Sequence, residues 1–438
     1  MSSKVKSSAT KGGRVALVPE RRFPEFQTAG AWDNKPLSEV LSPVVRERSK
    51  PTEPYTGLGL RSHGKGTFLK EKEDPAKNAM DVLFEVKRDD LIVNITFAWE
   101  GAIAIAGRSD DGALVSHRFP TYAFKKGKAL PEFFRYRILE KRFIYNLGVI
   151  SPGGAGRNRV MSKTDFLKLE VWLPNPDEQQ KIADCLASAD ALIEAQGRKV
   201  EALKAHKKGL MQQLFPQEGE TLPCLRFPEF QGAGEWAEIP LSKLVSALDA
   251  GVSVNAGDRL AMSHEIGVLK TSAVTTGIFD PLENKVVFDA EEIKRVKEPV
   301  RADTVIISRM NTPALVGANA YVTDDYPNLF LPDRLWAAKP RPGADMRFVA
   351  LVLGSDRGRA ALSGLAGGSS DSMKNISKPR VLELTVMAPS RSEQQRIADC
   401  FTSLDDLIAA ENRKLDTLKT HKKGLMQQLF PRVEEDEA

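Results

Sequence analysis

EQQKIADCLASADALIEAQGRKVEALKAHKKGLMQQLFP, residues 178–216, returns as EQQRIADCFTSLDDLIAAENRKLDTLKTHKKGLMQQLFP at residues 393–431. Of the 39 aligned positions 27 are identical at a constant offset of 215, so an internal duplication organises the chain. Neither copy contains a proline before its end, where Pro216 and Pro431 stop the pattern. Apolar residues recur every three or four positions at Ile182, Leu186, Ala189, Ile193, Val200, Leu203, Leu210 and Leu214, with polar gaps at Gln196 and Lys207. The second copy repeats this seam at Ile397, Phe401, Leu404, Ile408, Leu415, Leu418, Leu425 and Leu429, with gaps at Glu411 and Lys422. A narrow stripe held over roughly five heptads is a coiled-coil pattern, and such a helix must bury its stripe against another helix.

Two arrangements satisfy that requirement. Each helix could lie on its own module, or the two copies could pair with each other. Stripes of equal length joined by a whole module favour pairing. Because compact modules have neighbouring termini, the second helix is expected to begin near the end of the first, which makes the pair antiparallel. About 37 helical residues would span about 55 Å. The tracts Lys204, His206, Lys207, Lys208 and Lys419, His421, Lys422, Lys423 fall near the helix ends, as solvated cations suited to the helix dipole or as contacts for phosphate or an acidic partner.

Working outward, a second repeat pairs residues 22–38 with 226–242 at an offset of 204. Both copies read RFPEFQ, then a tryptophan (Trp32, Trp236), then Pro-Leu-Ser, and the tryptophans read as structural anchors. Between the frames the halves diverge. What persists is a sketch: Asp90, an apolar strand Leu91–Val93, a polar loop, Gly101 and a second strand Ala102–Ile105; then Asp303, Val305–Ile307, a loop, Gly317 and Ala318–Val322. Alternation at Leu167, Leu169, Val171, Leu173 and at Val381, Leu384, Val386 predicts a strand before each repeated helix. The fold class expected is α+β: two sheet-rich globular domains separated by two long helices pairing as an antiparallel coiled coil, pseudo-two-fold. The expected divisions are a flexible basic tail 1–20, a first module 21–175, spacer helix 176–216, linker 217–225, a second module 226–390, spacer helix 391–431 and an acidic tail 432–438.

Composition agrees with a globular chain. Its 438 residues are 42% hydrophobic and 28% charged, which excludes a disordered, collagenous or disulfide-stapled protein. No run approaches the ~18–20 apolar residues of a membrane helix, and the Ser-rich, basic N-terminal stretch has no apolar segment behind it, so no secretory leader is expected. Three cysteines, Cys185, Cys224 and Cys400, with no C-x-x-C spacing fit a reducing, cytoplasmic setting. A net charge of +5 permits nucleic-acid binding without demanding it.

Catalytic signatures are missing. Gly64-Lys65 and Gly127-Lys128 lack the Ser or Thr of a phosphate loop, and neither H-E-x-x-H nor G-x-S-x-G occurs. Asn175-Pro176-Asp177 reads as a turn before a helix, not as the Asn-Pro-Pro tetrapeptide type that grips a target adenine. Of five histidines, His206 and His421 are repeat copies and His63, His117 and His264 stand alone, so no catalytic or metal residues are expected. Two unlike modules held at a fixed spacing suit duplex DNA, whose recognition elements repeat about every 34–36 Å. A coiled-coil adaptor that binds only proteins is the alternative.

The repeated EQQxIADC…HKKGLMQQLFP helices, the RFPEF frames and the two unlike modules resemble the specificity subunit of type I restriction–modification enzymes, over roughly Arg22 to Pro431. The resemblance implies two target-recognition domains on conserved spacer helices, reading an asymmetric bipartite site in double-stranded DNA. It also implies two modification (methyltransferase) subunits and translocating nuclease (restriction) subunits as partners. Adenine methylation with S-adenosylmethionine, and ATP with magnesium for the nuclease, would belong to those partners, none to this chain.

Polar residues that interrupt strands are the candidates for base or phosphate contact. In the first module these are Asn94, Thr96, Arg118, Arg157 and Arg159; in the second Lys270, Thr271, Ser272, Arg309, Asn311, Arg334 and Lys374. Each has an alternative as a solvated loop residue or turn cap, Asn311-Thr312-Pro313 most plainly. Gly153-Gly154 and Gly367-Gly368 precede corresponding basic tracts and read either as points of close phosphate approach or as hinges. Trp99 and Trp336 read as core, with base stacking as the alternative. Helix pairing is assigned to Ile182, Leu186, Ile193, Leu203, Leu210, Leu214, Ile397, Phe401, Ile408, Leu418, Leu425 and Leu429.

Overall fold

The computed structural model describes residues 17–153, 159–367 and 373–431. Both copies of the quoted segment are continuous helices, Pro176–Leu214 and Arg391–Leu429. Each is 39 residues, about 58 Å at 1.5 Å per residue. Side chains cap their first turns: Asn175 Oδ1 accepts from Glu178 N at 2.9 Å, and Ser390 Oγ from Glu393 N at 3.4 Å.

The chain forms two compact units, and the division falls inside both helices. One unit runs to Gly197 and resumes at Lys414; the other is Arg198–Arg413. The cores explain this. In the first unit Ile182, Ala183 and Leu186, from the start of the first long helix, share a core with Leu429 and Phe430, at the end of the second. In the second unit Leu214 joins Ile397, Ala398 and Phe401. The start of one helix therefore lies with the end of the other inside each unit. In the second unit Lys207 Nζ lies 2.5 Å from Asp405 Oδ1 and Lys199 Nζ 2.6 Å from Glu411 Oε1, so eight residues along one helix match six residues back along the other. The packing is antiparallel. Lys207, Glu411 and Lys422, which interrupt the apolar seam, supply these cross-helix ion pairs.

Each unit carries a four-stranded antiparallel sheet of the same strand order. In the first it is Leu41–Val44, Thr121–Phe124, Leu91–Val93, Ile103–Ile105; in the second Val245–Ala250, Leu335–Pro340, Thr304–Ser308, Asn319–Val322. A two-stranded ribbon is also common to both, Asp33–Pro36 on Glu170–Leu173 and Ala237–Pro240 on Thr385–Ala388. The remaining sheets differ. The first unit has five strands in the order Glu47–Ser49, Val82–Glu85, Leu114–Val115, Tyr55–Leu60, Thr67–Glu73, whereas the second has four, Asn284–Val286, Gly267–Leu269, Tyr326–Phe330, Pro299–Val300.

Two local expectations are corrected. The strand before each long helix is shorter than the alternation suggests: Leu167 lies in a helix Lys163–Lys168 capped by the Ser162 hydroxyl, and Val381 in a helix Lys378–Leu382 with Pro379 in its first turn. Short apolar runs fit either period, and the cap decides. Leu17, within the stretch expected to be a tail, is buried and bridges to Trp32.

The repeated frame is a clasp. Arg22 Nε and Nη2 donate to both carboxylate oxygens of Glu178 at 2.7 and 2.6 Å, while Nη1 donates to the carbonyls of Ala29 and Gly30. Arg226 does the same for Glu393, at 2.7 Å twice, with the carbonyls of Ala233 and Gly234. Both pairs are buried. Trp236 Nε1 donates to Glu393 Oε1 at 3.3 Å, and the phenylalanine just past the end of each long helix completes an aromatic group: Phe430 packs edge-on against Trp32 and stacks on Phe133, and Phe215 does so with Trp236 and Phe348.

Candidate nucleic-acid interface

In each unit an irregular turn joins an inner strand of the four-stranded sheet to the edge strand beside it. In the first this turn follows Leu91–Val93. Asn94 N donates to the Ala102 carbonyl, and Asn94 Oδ1 accepts from Thr96 N at 3.0 Å, which leaves Asn94 buried within the turn. Gly101 closes it at φ 76°, in the left-handed region that favours glycine. The turn is flanked by two further segments, because Ile95 N donates to the Arg118 carbonyl and Met161 N to the Ile95 carbonyl. Arg159 lies over the Trp99 ring, 5.4 Å from its centroid, and Trp99 Nε1 donates to the Thr96 carbonyl. Thr96, Trp99, Arg118 and Arg159 are thereby gathered around one turn, with the Arg118 side chain exposed. Arg157 and Gly154 lie outside the described residues.

The second unit repeats this construction with other side chains. Ser308 N donates to the Ala318 carbonyl and Gly317, at φ 75°, closes the turn. Ile376 N donates to the Arg309 carbonyl, the counterpart of the Met161–Ile95 bond. Strand pairing of Met310–Asn311 with Lys374–Asn375 then brings Arg309, Asn311 and Lys374 together. Arg309 N donates to the Arg334 carbonyl, its Nε donates to the Asp333 carbonyl at 2.7 Å, and its guanidinium lies 5.8 Å from the Trp336 ring centroid. Trp336 itself is core. Asn311 Oδ1 accepts from Thr312 N, and its amide nitrogen donates to Ser308 Oγ. Beneath the turn Arg359 Nη2 donates to the Ala314 carbonyl, and burial holds its basicity below that of an ordinary arginine. Gly367 pairs with Asn375; Gly368 lies outside the described residues.

Lys270, Thr271 and Ser272 sit elsewhere, on a turn after the strand Gly267–Leu269. There Glu283 accepts from Ser272 Oγ at 2.5 Å and faces Lys270 at 3.5 Å, and these two bonds lower its carboxyl pKa. Ala273 and Val274 of that turn pack in one core with Ile306, on the strand Thr304–Ser308 that leads into Arg309.

Sequence reading missed one element. The hairpin tip Arg61–Gly66 is fastened to the first unit's turn: His63 N donates to the Glu100 carbonyl at 2.7 Å, Gly64 N to the Gly101 carbonyl at 2.9 Å, and Ser62 Oγ to Glu100 Oε2 at 2.8 Å. The string SHGKG, with its Gly–x–Gly spacing and two basic residues, was the available signal.

Among the described residues there is no cluster of His, Cys, Asp or Glu suited to a metal, and no helix long and apolar enough to cross a membrane.

A family model, the type I restriction modification DNA specificity domain, matches the chain twice, over residues 45–205 and 264–420. The chain belongs to this family. It is 25% identical over 278 residues to the type I restriction enzyme MjaVIII specificity subunit of Methanocaldococcus jannaschii, covering 62% of this chain and 63% of that one; the match thus spans less than two thirds of that relative. The fold resembles the S subunit of a type I restriction-modification system from M. genitalium, with a TM-score of 0.59 and 16% identity over 95% of this chain and all of that one. A structure described in terms of complex assembly and conformational transition of the type I system aligns at a TM-score of 0.50 and 17% identity, over 91% of this chain and 97% of that one. These likenesses support the fold of the specificity family: two sheet-bearing units whose cores are shared with a pair of long antiparallel helices.

Proposed function

We propose that this chain is the DNA-reading subunit of a type I restriction–modification complex and binds an asymmetric bipartite site, one half per unit, with the paired helices setting the gap. The observation that carries the reading is the sharing of a constant frame by two different reading turns. The Arg22–Glu178 and Arg226–Glu393 clasps, the four-stranded sheets and the helix ends recur, while the turns carry Thr96, Arg118 and Arg159 in one case and Arg309, Asn311 and Lys374 in the other. A common frame with different polar contacts is what two different half-sites require, since base edges are told apart by donor and acceptor pattern.

The chain acts without catalysis of its own. Two modification subunits methylate adenine from S-adenosylmethionine, and restriction subunits supply ATP- and magnesium-dependent translocation and cleavage, in the cytoplasm. Mapping methylated adenines in cells that carry this chain and its modification subunit tests the reading. A two-part motif with a fixed unread gap is expected, and replacing residues 226–390 changes one half only. A contiguous palindrome, or no motif, overturns it.

A further inference from the structure

We infer that the hairpin tip Arg61–Gly66 is a second DNA-contacting arm of the first unit, with Arg61 reading a base edge and Lys65 holding a phosphate; this rests on the DNA-reading function proposed above. The tip joins Tyr55–Leu60 to Thr67–Glu73, strands of the five-stranded sheet that differs between the units. Three bonds tie it to the turn 94–101, through His63 N, Gly64 N and Ser62 Oγ. His63 sits at φ 62°, a conformation uncommon outside glycine, and it holds because the neighbouring bonds fix the backbone on both sides. The approach is close: a Cβ on Gly101 would stand 3.5 Å from both Gly64 N and His63 Cα. The tip and the turn therefore form one surface, and a ligand on the turn meets the tip.

The exposed side chains of the tip are Arg61, His63 and Lys65, and none of them has an acidic partner among the described residues. Arg61 is set in advance. Its guanidinium lies 5.0 Å from the Phe68 ring centroid and Nη1 donates to the Thr67 carbonyl at 2.5 Å, so the plane and one edge are fixed. An arginine so held offers its other edge as a rigid fork, the geometry that matches O6 and N7 of guanine in the major groove. Lys65 is a flexible point charge on a glycine-flanked turn, suited to a phosphate. His63 is a positioning residue, coupling tip to turn through its backbone.

The test uses the full chain purified with its modification subunits and a duplex library of random sequence, with selected sites sequenced and affinities measured across salt. Arg61→Lys keeps the charge and removes the fork. Preference at one G·C pair of one half-site is expected to fall about tenfold or more, with the other half-site unchanged. Lys65→Ala is expected to leave the motif intact and to flatten the slope of log affinity against log salt by about 0.9. The exposed Lys65 side chain makes no hydrogen bond or ion pair among the described residues, so this variant keeps the test valid if Arg61→Lys disturbs packing. A wild-type complex that selects a bipartite site while both variants select the same site with the same slope overturns the arm alone. A wild-type complex that selects no sequence overturns the arm together with the DNA-reading function.

Discussion

Lys422 Nζ lies 2.5 Å from Asp190 Oδ1, 232 residues away in sequence, and the corresponding lysine of the first copy, Lys207, lies 2.5 Å from the corresponding aspartate, Asp405. One ion pair thus occurs in each unit, written by the duplication. Among the described residues a third group joins only in the first: Tyr136 donates its hydroxyl to Asp190 Oδ2 at 2.9 Å, and Lys422 lies over its ring.

That asymmetry predicts unequal costs. Asp405→Ala removes one partly exposed pair, at about 0.2–1 kcal/mol. Asp190→Ala also strands the hydroxyl of a buried tyrosine, adding about 1 kcal/mol or more. Urea melts of the two variants check the order; equal losses would show that Tyr136 contributes nothing.

The frame arginines should matter more. Glu178 is 1% exposed, so Arg22→Ala leaves a buried charge without its partner, a cost of about 3–5 kcal/mol. Adding Glu178→Gln to Arg22→Ala removes that charge and should restore part of the loss. Thermal unfolding of the single and double variants, with hydrogen exchange on the first unit, measures both effects.

Gly317 combines φ 75° with a crowded site, where a Cβ would stand 2.7 Å from Leu362 Cβ. Gly343 has φ 94° but open space around it. Alanine at Gly343 should cost about 1–2 kcal/mol from the left-handed backbone alone. At Gly317 the cost should exceed that and the second unit's half-site should weaken, while the first unit's half-site is kept. Melts and the methylation motif report the two parts separately.

Acid should loosen the Arg259–Glu265 loop of the second unit. Hydrogen bonds from Arg259, then from Met262 N, hold the Glu265 carboxyl pKa down at about 2, against an ordinary 4.5. A depressed carboxylate stabilises above its unfolded value, so the contribution is complete above pH 4.5 and disappears as the pH falls towards 2. The protection of the Met262 amide, relative to a free peptide at the same pH, should fall across that window in the wild type and be lost already at pH 6 in Glu265→Gln.

If the helices set the gap, lengthening must respect their pairing. Four residues inserted after Val200 alone carry Lys207 away from Asp405, and activity should fall. A matching insertion after Ala410, which keeps Lys199 with Glu411 and Lys207 with Asp405, should restore it with a longer unread gap and unchanged half-sites. Altered half-sites with an unchanged gap would refute the spacing role.

Much of this protein is legible in its sequence because helices and caps are local. The 215-residue repeat, the three-to-four spacing and the terminal prolines define both long helices within two residues at their starts, and the apolar seam requires a helical partner. Strand-forming runs as short as Leu91–Val93 are also visible. The reading surface is less so. Asn94 looks like a base reader in sequence and is a buried turn residue, because its side chain bonds two residues on. Lys207 looks like a defect in a seam and is a cross-helix anchor.

What the sequence alone determined is the duplication and the two long helices, both properties of residues near one another or of identical strings. The Arg22–Glu178 clasp, the seating of Phe430 beside Trp32 and the fastening of His63 to Glu100 depended on tertiary structure. Each joins residues 37 to about 400 positions apart, and no local preference encodes a contact that exists only once the chain has closed around its cores.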